Sequence, residues 1–85
     1  MKPRKLLEKI LAGSFNVPFD DFCGLIKAFG FRLSRIKGSH HIFSHSDLPE
    51  LVNVQNVAGK AKPYQIRQFL KLVEEYNLTL EDDGL

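Results

Sequence analysis

One Gly38-Ser39 step divides a run of alternating residues in two, and it is the feature that most limits the fold. Before it, Phe31 to Lys37 places Phe31 and Leu33 inward and Arg32 and Ser34 outward, the pattern of a half-buried strand. After it, His40 to about His45 alternates again, with His40, Ile42 and Ser44 on one face and His41, Phe43 and His45 on the other. Two such runs joined by so short a turn predict an antiparallel hairpin. If Phe43 faces a core, His40 faces outward, just beyond a turn flanked by Arg35 and Lys37. All three histidines lie in this stretch.

The rest of the chain supplies what such a hairpin packs against. Leu6, Leu7, Ile10 and Leu11 recur at helical spacing, and Gly13 suits a left-handed helix end. Pro18 suits the first turn of a second helix, where Asp20 and Asp21 oppose the N-terminal dipole. Phe22, Leu25, Ile26 and Phe29 then follow i, i+3, i+4, i+7 up to Gly30. Leu51 to Val57 alternates as a third strand, with Val52 and Val54 on one side and Asn53 and Gln55 on the other. Ala58 to Lys62 reads as a small basic loop. Pro63 opens the last helix, whose apolar stripe is Ile66, Phe69, Leu70 and Val73. The tail from Thr79 is expected to fray. The predicted class is α+β in the order α-α-β-β-β-α, a three-stranded antiparallel sheet with helices on one face and water on the other.

With 85 residues, the chain is expected to form one domain, 1–85, with no internal repeat. No run approaches the roughly 18 apolar residues of a membrane helix. The basic start is followed by a segment charged at Glu8 and Lys9, which is no secretory signal. A lone Cys23 cannot form an internal disulfide and points to a reducing cytoplasm. Net charge is +2, but from Lys27 to Lys71 eight basic residues face only Asp47 and Glu50, while Glu74, Glu75, Glu81, Asp82 and Asp83 gather at the end. That distribution suits a polyanion partner; a solvated mixed-charge surface is the plain alternative.

An imidazole titrates near about 6.5, so His40 can act as general base or acid. Spacing alone does not separate that role from an ordinary surface histidine. RNA suits so sparse a site, because its own 2′-OH supplies the nucleophile. His41 reads as a partly buried histidine, whereas His45, at a strand end, has phosphate contact or proton transfer open to it. The three do not converge as metal ligands, and neither Cys23 nor a carboxylate completes a ligand spacing; no cofactor or metal is expected. Cys23 reads as a small buried hydrophobe. Lys60 and Lys62 flank the entry to the last helix and read as phosphate contacts. The phenylalanines fall at core positions and offer no stacking platform for bases.

The run from Lys37 through Gly38-Ser39-His40-His41-Ile42-Phe43-Ser44-His45 resembles the core motif of the HicA (YcfA-like) toxins. Gly59-Lys60-Ala61-Lys62-Pro63 with Ile66-Arg67-Gln68-Phe69-Leu70 resembles that family's basic loop and final helix. The resemblance spans about Phe19 to Leu78. It implies a fold like a double-stranded RNA-binding domain and a ribosome-independent, metal-independent mRNA interferase with His40 catalytic. Lys37, Gly38, Ser39, Lys60 and Lys62 are then the expected RNA contacts, and a HicB-like antitoxin the expected partner. The chain is expected to be cytoplasmic, and monomeric when free. It departs from the family in an additional N-terminal helix, about 3–12, and in Tyr64-Gln65 where Gly-Thr is usual. It also lacks the histidine that many relatives carry near Gln55-Asn56-Val57. Two other readings remain beside it: a non-catalytic RNA-binding module, and an interaction protein whose sheet face binds an antitoxin.

Overall fold

The computed structural model describes residues 1–81. Helix α1 (Pro3–Leu11) and helix α2 (Phe19–Ala28) precede strands β1 (Arg32–Lys37), β2 (His40–Ser44), β3 (Val52–Val57) and β4 (Lys60–Ala61), and helix α3 (Pro63–Glu75) follows. Proline opens α1 and α3, where its missing N–H would have had no partner. Past α1, Gly13 stands at φ +104°, its N–H donating to the Ile10 carbonyl and that of Ser14 to the Lys9 carbonyl. These two bonds cap carbonyls that the helix leaves open. Asn77 does the same after α3 at φ +53°, a position without a glycine to announce it.

The four strands form an antiparallel meander in the order β1-β2-β3-β4. The fold is α+β as expected, with one strand more than the sequence suggested. Ala58 and Gly59 both have positive φ, 51° and 82°, and turn β3 into the two-residue β4 within what reads as a basic loop. Two residues are too few to show a period, and alanine is an unusual occupant of the left-handed region. The Asn56 side chain supports the turn by accepting from the Gly59 N–H at 2.8 Å.

One face of the sheet meets the core. Phe43 of β2, Val52 and Val54 of β3 and Ala61 of β4 pack with Phe19, Phe22, Leu25, Ile26 and Phe29 from α2 and its end and with Ile66 and Phe69 of α3. The expected half-burial holds at Phe31, buried just before β1, but not within the strand, where all six residues are exposed. Leu33 does lie on the core side, opposite Phe43, but the buried cluster stops at β2. The expectation of a frayed tail is also corrected through Glu81. Leu78 and Leu80 pack against the core, and the Glu81 N–H donates to the Ala28 carbonyl at 2.6 Å. Residues beyond Glu81 lie outside the described part of the chain.

The two edges of the sheet differ. At β4 the chain before α2 closes the edge. The Ala61 N–H donates to the Val17 carbonyl at 3.0 Å, and the Phe19 N–H to the Gly59 carbonyl at 2.8 Å. At the other edge, among the described residues, β1 pairs with β2 alone. A bulge interrupts that pairing between Leu33 and Arg35, leaving Ser34 as the extra residue. Residues paired across strands share a face, so this one insertion resets the alternation. Leu33 stays on the core side with Phe43, while Arg32, Arg35 and Lys37 all come to the outer face with Ser44, Ile42 and His40.

Candidate active site

Gly38 stands at φ +61° in the first central position of the β1–β2 turn, a left-handed conformation that glycine adopts without strain. A Cβ there would meet no atom, so backbone conformation and not crowding calls for glycine. Ser39 then ties the turn to β3 twice. Its carbonyl accepts from the Asn56 N–H at 2.9 Å, and its hydroxyl accepts from the Gln55 amide at 3.2 Å. The turn is thereby anchored on the strand next door.

His40 follows the turn and pairs with Lys37 on one side and Gln55 on the other. Its ring lies on the outer face, and Nδ1 is 3.0 Å from the Asn53 side-chain oxygen. An amide oxygen only accepts, so Nδ1 carries a proton and donates it to that bond. In the neutral ring this leaves Nε2 as the basic nitrogen. Asn53 thus selects the tautomer and limits ring rotation. The strand carrying it is itself held. Where β4 runs out, the buried Gln65 of α3 accepts the Gln55 N–H at 2.9 Å and continues the ladder with a side chain.

The basic residues gather around this ring unevenly. Lys37 lies directly across from His40, with Arg35 and Arg32 farther along the same face of β1. Lys60 shares the outer face through its pairing with Val57, two strands over and two residues along from His40, roughly 12 Å at ordinary strand geometry. Lys62 stands just before α3 with its ammonium 5.6 Å from the centre of the Tyr64 ring. Lys37, Gly38, Ser39 and His40 therefore form one cluster, and Lys60 and Lys62 lie at its far side.

The other two histidines face away. His41 packs edge-on against Phe19 with ring centres 4.8 Å apart, and its Nδ1 is buried with no hydrogen-bond partner among the described residues. His45 packs edge-on against Phe31 at 5.0 Å while its Nδ1 accepts the Asp47 N–H at 3.1 Å. The proton-transfer role left open for His45 has no geometric support, because the ring lies on the opposite side of the sheet from His40. Among the described residues no three His, Cys, Asp or Glu side chains gather as a ligand set. Burial first, then Asp20 against a smaller opposing effect of Lys27, pushes the Cys23 thiol up to about 11, so it stays protonated at neutral pH.

Asn53 is the residue that the sequence reading missed. Its place on the outer side of the third strand was legible, but its diagonal approach to His40, set by the register that pairs Asn53 with Ile42, was not. The outer-face position of Arg35 and Lys37 was likewise hidden, because strict alternation from Arg32 sets them on the opposite side and only the bulge unites the three. Among the described residues no helix is long and apolar enough to cross a membrane. Residues 19–74 match the family described as the HicA toxin of bacterial toxin-antitoxin, a match that starts at the first residue of α2 and leaves α1 outside. No curated protein and no solved structure matches the chain significantly.

Proposed function

The chain belongs to the HicA toxin family, and on that premise we propose that it is the toxin of a type II toxin–antitoxin pair that cleaves mRNA by metal-independent acid–base chemistry at His40. The observation that carries this reading is the His40 ring on the outer face, oriented by Asn53 and faced by Lys37. Nε2 accepts the proton of a ribose 2′-OH while the oxygen attacks the adjacent phosphorus. The O2′–P bond forms, the P–O5′ bond breaks, and the imidazolium returns the proton to the leaving oxygen, directly or through water. The products are a 2′,3′-cyclic phosphate and a 5′-hydroxyl. Lys37 offsets charge on the phosphate, Gly38 and Ser39 shape the turn beside it, and Lys60 and Lys62 hold phosphates farther along the strand.

In this reading α2, the sheet and α3 correspond to a domain resembling the double-stranded RNA-binding fold, and α1 is an addition within one 1–85 domain. The protein acts in the cytoplasm, is monomeric when free, and is held by a HicB-like antitoxin.

The test compares the full chain with His40→Ala on a defined mRNA transcript in the presence of a chelator, with growth arrest followed in parallel. Cleavage by the natural chain alone, leaving cyclic phosphate ends, is the expected result. Equal cleavage by both removes His40 from the chemistry. Binding without cleavage by either makes the chain a non-catalytic RNA-binding module. If neither binds RNA while both hold a HicB-like protein, an interaction role is the better account.

A further inference from the structure

We infer that the open edge of β1 is a docking site for an extended strand of a partner protein whose side chains alternate between acidic and apolar. Three observations meet at this edge. The first is the backbone: among the described residues β1 pairs on one side only, whereas the opposite edge of the sheet is closed by Val17 to Phe19. An unpaired row of N–H and C=O groups is a template for another polypeptide strand, and RNA has no backbone to match it.

The second observation is the side-chain pattern. On the core side of β1, Leu33 is 39% and Ile36 56% exposed, and neither belongs to the packed cluster formed by the rest of the sheet. On the outer side stand Arg32, Arg35 and Lys37. An added strand would cover Leu33 and Ile36 with its apolar residues and set its carboxylates beside the three cations.

The third concerns which strand fits. A second copy of this chain would bring one row of cations against another, and like charges directly opposite destabilise a pair. The same charges, with the bulge at Ser34, protect the edge from indiscriminate pairing. What remains favourable is a strand of opposite charge. The inference stands independently of whether His40 cleaves RNA.

The probe is a synthetic peptide of alternating Glu and Val, about six residues long, titrated into the isotope-labelled full chain while backbone amides are followed by NMR. Amide shifts and slowed hydrogen exchange along Arg32 to Lys37, weakened by salt, are the expected result. The Arg32→Glu/Arg35→Glu double variant, checked for an otherwise unchanged spectrum, should bind this peptide about tenfold more weakly and prefer a Lys/Val counterpart. A peptide N-methylated at alternate positions should lose binding.

Undiminished binding of the methylated peptide would overturn the inference, as would shifts spread over Asn53, Gln55 and Lys60 instead of the edge. So would no response at about millimolar peptide. If a short RNA protects the β1 amides and the peptide does not, the edge belongs to RNA and the inference also fails.

Discussion

His40 and His41 are neighbours in the chain and occupy opposite faces of one sheet. His40 stands on the outer side with its Nδ1 bonded to Asn53 and a lysine across the strand pair. His41 is turned to Phe19, and its Nδ1 has no partner among the described residues. The same residue type thus meets two environments a single peptide bond apart. On the outer face polar groups are oriented and accessible, so they are available for chemistry. On the inner face apolar rings fill the space, and a polar atom there is a cost that the packing absorbs. Substitutions on the outer face should accordingly change activity and leave stability alone, while those on the inner face should do the reverse.

The largest effects test that separation from both sides. His40→Ala should reduce the RNA cleavage rate by about 10²- to 10⁴-fold, with the urea unfolding midpoint unchanged. Phe43→Ala, one pleat beyond His41 on the core side and fully buried, should cost about 3–5 kcal/mol of stability in the same unfolding experiment. If His40→Ala destabilises the chain comparably, the two faces are not separable in this way.

A smaller effect sharpens the outer-face account. Asn53→Ala should lower the cleavage rate about tenfold, ~1.4 kcal/mol in the barrier, while Asn53→Asp keeps an acceptor for Nδ1 and restores most of the rate. Equal losses in both variants would mean that Asn53 supports the strand and does not orient the ring. On the inner face, His41→Phe removes the unpartnered nitrogen and should raise the unfolding free energy by about 1 kcal/mol. A fall of that size would show that the imidazole is better satisfied than its surroundings suggest.

The smallest effect concerns Cys23, beside the helical part of the core. Its thiol is pushed from the ordinary 9.0 to about 11, chiefly by burial, so the fold favours the protonated form. The stability that it contributes is complete below pH 9.0 and is lost as pH rises through about 11. At mildly alkaline pH, alkylation of the native chain should therefore be slower than that of the urea-unfolded chain. Equal rates would place the thiol in water.

Much of this arrangement was legible in the residues. The helical stripe from Phe22 to Phe29 and the alternation around Gly38-Ser39 predicted α2 and the first hairpin, because both periods are local consequences of backbone geometry. The placement of His40 outward and Phe43 inward followed from the same period. The short strand β4 was not legible, since its turn uses Ala58 in an uncommon conformation and its strand is only Lys60–Ala61. The ordered stretch from Leu78 to Glu81 was not legible either. Its anchoring depends on Ala28, distant in sequence, and on a helix end made with Asn77.

By itself the sequence determined the α+β class, the faces of β2 and β3 and the turn that presents His40. Each of these depends on the spacing of side chains along one segment. Tertiary structure decided which side chain meets His40, which cations share its face and which sheet edge stays open. Those outcomes depend on pairing register, on one bulge at Ser34 and on the return of Val17 to Phe19 alongside β4. A pattern along one strand states which face a residue takes. Only the neighbouring strand determines what stands beside it.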